Sequence, residues 1–178
     1  MRLFFATFPE PELCRKIAAT ARAIDLEGEP RYLPTENYHV TILFVGEVSD
    51  MQVPSIREIG EAQRTERFSL RFDRWEYWED ARVVVASSPD RPPSLMGLRA
   101  SLAAGLAQRG VPFDVKPLRP HITVARKPAQ APVLPEVSEF SCAFRAFNLV
   151  SSVTASRESV YTVVGTWPLL DTASRGQK

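Results

Sequence analysis

The amino-acid sequence predicts an α+β protein built as two pseudo-symmetric lobes, and three observations carry this. Tyr38-His39-Val40-Thr41-Ile42-Leu43 and Pro120-His121-Ile122-Thr123-Val124-Ala125 are two copies of a His-x-Thr-aliphatic block, and they hold both histidines of the 178-residue chain. Each block follows a strand and a helix, so the order strand, helix, strand occurs twice, from Leu3 through His39 and from Arg82 through His121. Elsewhere apolar residues alternate at strand period or recur at helical period, in short runs punctuated by proline and glycine. A chain of this length forms one substantial core or two small, closely packed lobes, not several independent domains. Residues 1–170 are read as one bilobal unit and 171–178 as a polar, disordered tail.

Leu3 to Phe8 is a short apolar run rich in aromatics and stopped by Pro9, a buried strand. Pro9-Glu10-Pro11-Glu12 then starts a helix, because proline tolerates the first turn and acidic residues complement its dipole. Leu13, Ile17, Ala21 and Ile24 recur at helical spacing up to Asp25, and Gly28 ends the segment. A short connection from Pro30 to Asn37, with a strand around Arg31 to Leu33, leads into the first His-x-Thr strand, which should run to Val45 and stop at Gly46. Ser49 and Asp50 can cap a second helix carrying Val53, Ile56 and Ile59. Phe68, Leu70 and Phe72 alternate with polar residues as a half-buried strand, which Trp75, Tyr77 and Trp78 extend. After a turn near Glu79 and Asp80, Arg82 to Ala86 is another strand.

Pro92-Pro93-Ser94 opens a third helix with Leu95, Leu98, Leu102 and Leu106 on one face, closed by Gly110. Pro117 to Pro120 is an extended lead into the second His-x-Thr strand. The connection carrying Pro128, Pro132 and Pro135 cannot be a central strand. Phe140, Cys142 and Phe144 alternate, then apolar parity shifts to Phe147 and Leu149, which predicts a β-bulge near Arg145 and Ala146. Val160 to Val164 forms the last strand, ending at Trp167-Pro168.

Composition narrows the function. A formal net charge of +1 gives no overall field for gripping a long nucleic acid, so a polyanion must meet a local basic patch. Cys14 and Cys142 have neither metal-ligand nor redox-motif spacing and read as small buried hydrophobes in a reducing compartment. No stretch has the apolar length of a membrane span, and the leading apolar run is too short for a signal peptide. The expected location is the cytoplasm, and the expected state a monomer.

Alternation along a strand puts His39 and Thr41 on one face with Val40 and Ile42 behind them, and His121 and Thr123 pair the same way. Two imidazoles flanking one phosphorus can strip a proton from an attacking oxygen and protonate a leaving oxygen. A threonine hydroxyl two residues away can hold a non-bridging phosphate oxygen. A lone strand histidine is usually a satisfied surface or core residue. That both fall in the same four-residue pattern has a chance of roughly one in a few thousand at average usage. Two histidines without clustered Asp, Glu or Cys make too few ligands for a metal, and no cofactor is expected. Arg119 and Arg126 flank the second block and can hold phosphate oxygens, although strict alternation puts Arg126 on the face opposite His121. Phe5, Phe8, Tyr38, Trp75, Tyr77 and Trp78 are stacking candidates for a base, though aromatic strands are more often core.

With these motifs the chain resembles the two-histidine phosphoesterase superfamily. Within it, the resemblance is to the RNA 2′,3′-cyclic phosphodiesterases, historically called 2′-5′ RNA ligases. The matching residues are Arg2-Leu3-Phe4-Phe5-Ala6 with Pro9, His39-Val40-Thr41-Ile42 with Phe44-Val45-Gly46, Pro120-His121-Ile122-Thr123-Val124-Ala125-Arg126, and Tyr161 to Leu169. The resemblance implies a bilobal α+β fold with an antiparallel sheet in each lobe and an active-site cleft between them. It implies metal-independent hydrolysis of RNA 2′,3′-cyclic phosphate ends to 2′-phosphates, and a reverse reaction that joins a 5′-hydroxyl RNA end. His39 and His121 would be the proton-transfer pair, with His121 as base and His39 as acid; Thr41, Thr123 and Arg126 would hold the phosphate. The alternative enzymatic reading is a phosphodiesterase acting on small cyclic nucleotides, ADP-ribose cyclic phosphate or 2′-5′ oligonucleotides. The non-enzymatic alternative is an RNA-end binding module, which intact histidines in both blocks argue against.

Overall fold

Val40 and Ile122 sit opposite each other in an antiparallel pair, and this single pairing joins two sheets into one. The structure, a computed structural model, describes residues 1–27, 31–136, 139–155 and 158–171. The predicted helix end at Gly28, the start of the connection at Pro30 and the polar tail beyond Asp171 lie outside the described residues. On one side of the junction, β3 (Val40–Glu47) pairs with β1 (Arg2–Thr7), which pairs with β9 (Ala146–Ala155) and then β10 (Glu158–Pro168). On the other side, β7 (His121–Arg126) pairs with β6 (Val83–Ser87), which pairs with β5 (Arg74–Trp78). β2 (Arg31–Tyr32) pairs with the far end of β7. Every one of these pairings is antiparallel, as the resemblance implies for each lobe.

The helices follow local rules. α1 (Pro11–Ala21) has proline in its first turn, and Glu12 and Lys16 form an exposed ion pair one turn apart. Ahead of α2 (Val53–Glu61), the Ser49 backbone N–H donates to Gln52 Oε1, one arm of a capping box on the short 3₁₀ turn Asp50–Gln52. α3 (Pro93–Gln108) ends in a Schellman motif, with Val111 N–H on Leu106 O and Gly110 N–H on Ala107 O. Gly110 stands at φ +63, where a Cβ would be strained. The buried leucines of α3 are the four that the spacing predicts.

α1 leaves β1 yet packs against β7, and α3 leaves β6 yet packs against β3. The helices thereby tie the halves together, and one hydrophobic cluster runs through both, from Phe5 and Leu43 to Ile122 and Leu102.

Three sequence expectations are corrected. The aromatic run Trp75 to Trp78 does not extend the Phe68 strand: β4 (Phe68–Phe72) pairs with β8 (Phe140–Phe144) as a separate two-stranded sheet, whereas β5 pairs with β6. The chain changes sheet at Asp73, whose carboxylate binds the Arg74 side chain and whose N–H turns to Ser87 O. The parity shift at Arg145 is likewise a change of sheet, from β8 to β9, and not a bulge within one strand. The first histidine strand also continues through Gly46 to Glu47, since Gly46 accommodates an irregular register there at φ +93. Among the described residues no helix is long and apolar enough to cross a membrane.

Candidate active site

The histidines flank the junction between the two sheets. Because the register is antiparallel about Val40 and Ile122, His39 lies across from Thr123 and Thr41 from His121. All four are partly exposed while Val40 and Ile122 are fully buried, so the four share the open face. Among the described residues, Val40 and Ile122 are the only pair through which β3 and β7 meet. Beyond them a cleft of about 740 Å³ lies between Thr41–Phe44 on one wall and Leu118, Arg119 and His121 on the other.

Both imidazoles are held alike. His39 Nδ1 lies 2.7 Å from Asn37 O, and His121 Nδ1 lies 2.6 Å from Arg119 O. A carbonyl only accepts, so each Nδ1 carries the hydrogen and each Nε2 is left to take or give a proton.

The strands share a second feature. In β7 the register against β6 jumps from Thr123 to Ala125, and in β3 the register against β1 jumps from Thr41 to Leu43. Each histidine strand therefore carries a bulge directly after its threonine, with Val124-Ala125 and Ile42-Leu43 buried as consecutive pairs. One inserted residue reverses the alternation. Arg126 thus returns to the face of His121 and Thr123, against the expectation from a regular strand, and its charge lowers the proton affinity of both histidines. In β3 the corresponding position is Phe44, which lines the cleft.

Around His39 the rings of Phe4, Tyr161 and Phe8 stand at 5.0, 5.2 and 6.0 Å. Burial among them, reinforced by the charges of His121 and Arg126, pushes the His39 pKa down to about 4, against the pull of the Asn37 carbonyl. Around His121 the neighbours are Trp78, with ring centroids 4.3 Å apart, and the Arg119–Glu76 ion pair at 2.8 Å. Burial and the Arg119 and Arg126 charges lower the His121 pKa too, against the Arg119 carbonyl and the Glu76 carboxylate.

Of the stacking candidates, Phe5, Tyr38 and Trp75 are core residues and Tyr77 packs against the core, whereas Phe8 and Trp78 flank the histidines. Sequence reasoning missed Glu76 and Phe44. The doubled apolar residues after each threonine were the available signal for Phe44, since they break strand alternation. Glu76 left no signal, because its partners come from β5, β6 and the lead into β7. Among the described residues no three His, Cys, Asp or Glu side chains gather as a metal site. Cys14 and Cys142 are free and buried, and burial pushes the Cys142 thiol up to about 12.

A sheet split about one residue pair, with a His-x-Thr strand contributed by each half, is what the resemblance to the two-histidine phosphoesterases implies. The family model of the 2'-5' RNA ligase superfamily matches residues 9–157, and the chain belongs to that superfamily. It is 30% identical over 170 residues to the RNA 2',3'-cyclic phosphodiesterase of Escherichia coli, covering 94% of this chain and 96% of the relative. It is also 30% identical over 188 residues to the protein of that name from Thermus thermophilus, covering 99% and 94%. Among solved structures, Escherichia coli LigT complexed with 3'-AMP matches with a TM-score of 0.85 at 28% identity, over 94% of this chain and 97% of that one.

Proposed function

We propose that the protein hydrolyses RNA 2′,3′-cyclic phosphate ends to 2′-phosphates, using His39 and His121 as the proton-transfer pair. The observation that carries this reading is the register at Val40 and Ile122, which sets His39 opposite Thr123 and Thr41 opposite His121 on one open face, beside a cleft lined by Thr41 and His121, with both Nδ1 atoms tied to carbonyls. The names of the curated relatives support the substrate class.

In the proposed reaction water attacks phosphorus from the side opposite the 3′ oxygen. A water oxygen–phosphorus bond forms, His121 Nε2 takes the water proton, the phosphorus–O3′ bond breaks, and His39 Nε2 delivers a proton to O3′. Thr41, Thr123 and Arg126 meet the charge on the non-bridging oxygens. Both imidazoles are neutral near pH 7 in the free protein, and the substrate's negative charge favours the imidazolium that the acid must be. The scheme routes no step through a metal ion.

The test is hydrolysis of an RNA oligonucleotide ending in a 2′,3′-cyclic phosphate in excess EDTA, with the product phosphate mapped. A 2′-phosphate product is expected, with a bell-shaped kcat/KM profile centred below pH 6.5, since both histidine pKa values lie below the ordinary imidazole value. A requirement for added metal would overturn the mechanism. Turnover confined to cyclic mononucleotides or ADP-ribose cyclic phosphate would overturn the substrate.

A further inference from the structure

Arg119 stands between two cavities. It lines the cleft together with Thr41 and His121, and it also lines a separate recess of about 130 Å³ with Arg74, Arg91, Ser87 and Ser88. The recess has room for roughly four waters, which suits one phosphate group. Of the three arginines that line it, Arg74 is paired with Asp73, and Arg119 with Glu76.

Arg119 is fixed before any ligand arrives. Its guanidinium lies 4.4 Å from the centre of the Trp78 ring, and Nη2 donates to Glu76 Oε2 at 2.8 Å. Glu76 is itself held, by Trp78 Nε1 at 2.6 Å on the same oxygen and by Ser87 Oγ at 2.8 Å on the other. Burial pushes the Glu76 pKa up, but these hydrogen bonds and the charges of Arg119 and Arg74 outweigh it and leave the group a carboxylate. A guanidinium has five N–H donors, so one bond to Glu76 leaves others for an anion, and the ordering cost of the side chain is met in the free protein. Arg91, which also lines the recess, gives Nη1 to the carbonyls of Ser88 and Asp90.

The cleft itself is of mixed charge. Its lining carries Glu79, Asp80 and Asp114 against Arg99, Lys116 and Arg119, and Arg99 is occupied by the carbonyls of Asp114 and Lys116. A polyanion with its terminal phosphate at the histidines therefore meets mixed charge in the cleft and, past Arg119, the guanidinium of Arg91.

We infer that Arg119 and Arg91 form a second anion subsite, which takes the phosphodiester linking the terminal nucleotide of an RNA chain to its 5′ neighbour. This rests on the proposed reading of the cleft and deepens it: the subsite selects an RNA chain over a free cyclic nucleotide.

The experiment measures two ratios for wild type, Arg119→Ala and Arg91→Ala, each checked for folding by circular dichroism. One ratio is kcat/KM for a dinucleotide ending in a 2′,3′-cyclic phosphate over that for the cyclic mononucleotide. The other is affinity for the corresponding 2′-phosphate dinucleotide over the nucleoside 2′-phosphate. Wild type should favour the dinucleotide about ten-fold in both, the worth of one charge-assisted contact, and both ratios should fall toward one in each variant. Arg119→Lys, which keeps the charge but loses the planar fork, should lie between. A wild-type ratio near one, or a ratio that survives in both arginine-to-alanine variants, overturns the subsite. If the dinucleotide binds tightly but no cyclic phosphate is hydrolysed, the proposed function falls and the subsite stands.

Discussion

Around His39 the side chains are Phe4, Phe8 and Tyr161, with Phe44 two bulge residues beyond Thr41; around His121 they are Trp78, Arg119 and Glu76, with Arg126 in the matching place beyond Thr123. The backbones of the two half-sites agree in the carbonyl two residues back that holds each Nδ1, in the threonine, and in the position of the bulge. One half is lined with apolar rings and the other with charge. In the proposed mechanism a symmetric backbone thus supplies two equivalent proton carriers, and asymmetric surroundings give them different tasks. An apolar half disfavours the imidazolium, while a half with guanidinium groups orients an anion and a nearby carboxylate steadies a protonated ring.

The largest effects come from removing either proton carrier. His39→Ala and His121→Ala should each lower kcat/KM on a cyclic-phosphate RNA end by about 10³-fold, and the double variant little further, because the pair acts as a unit. A substrate with sulfur in place of the 3′ oxygen separates the two roles, since a thiolate leaves without a proton. It should restore turnover to His39→Ala and not to His121→Ala; the opposite pattern would reverse the assignment of acid and base. The threonines should differ as well. Thr41→Val and Thr123→Val keep the β-branched shape the strands favour and lose only the hydroxyl. Thr41→Val should lower kcat by up to about 10²-fold and Thr123→Val by less, because Arg126 stays beside Thr123 while the first half offers only Phe44. Equal losses would mean that Arg126 does not share the load.

The histidine blocks are legible because strand alternation is local: an apolar residue on each side of the threonine is enough to place the imidazole and hydroxyl together. The amphipathic helices are legible for the same reason, down to the four buried leucines of α3. The bulges are written in the sequence as Ile42-Leu43 and Val124-Ala125, but doubled apolar residues also suit a strand buried on both faces. Strict alternation consequently misplaces Arg126. The pairing of Phe68 with Phe144, 76 residues away, leaves no local mark, so Asp73 and Arg145 read as continuations where the chain changes sheet. The Glu76 network is likewise a product of which strands become neighbours.

The difference between the half-sites should also appear in stability, without any substrate. His39 titrates near 6.5 when unfolded and at about 4 when folded, so the unfolded chain binds the extra proton between those values. The native state is then fully stable above pH 6.5 and loses stability as pH falls from there toward 4. Between pH 7 and pH 5 the loss from this one ring is at most ~2 kcal/mol, less any relief from solvent at its partly exposed edge. Burial and the charges of Arg119 and Arg126 act in the same sense on His121, but the Arg119 carbonyl and Glu76 oppose them, and its pKa is lowered less. Urea midpoints at the two pH values should therefore converge more in His39→Gln, whose side chain does not titrate, than in His121→Gln. If His121→Gln flattens the pH dependence as much, the ring cage around His39 and the charged surroundings of His121 are electrostatically equivalent, and the division of labour between the halves must come from the substrate.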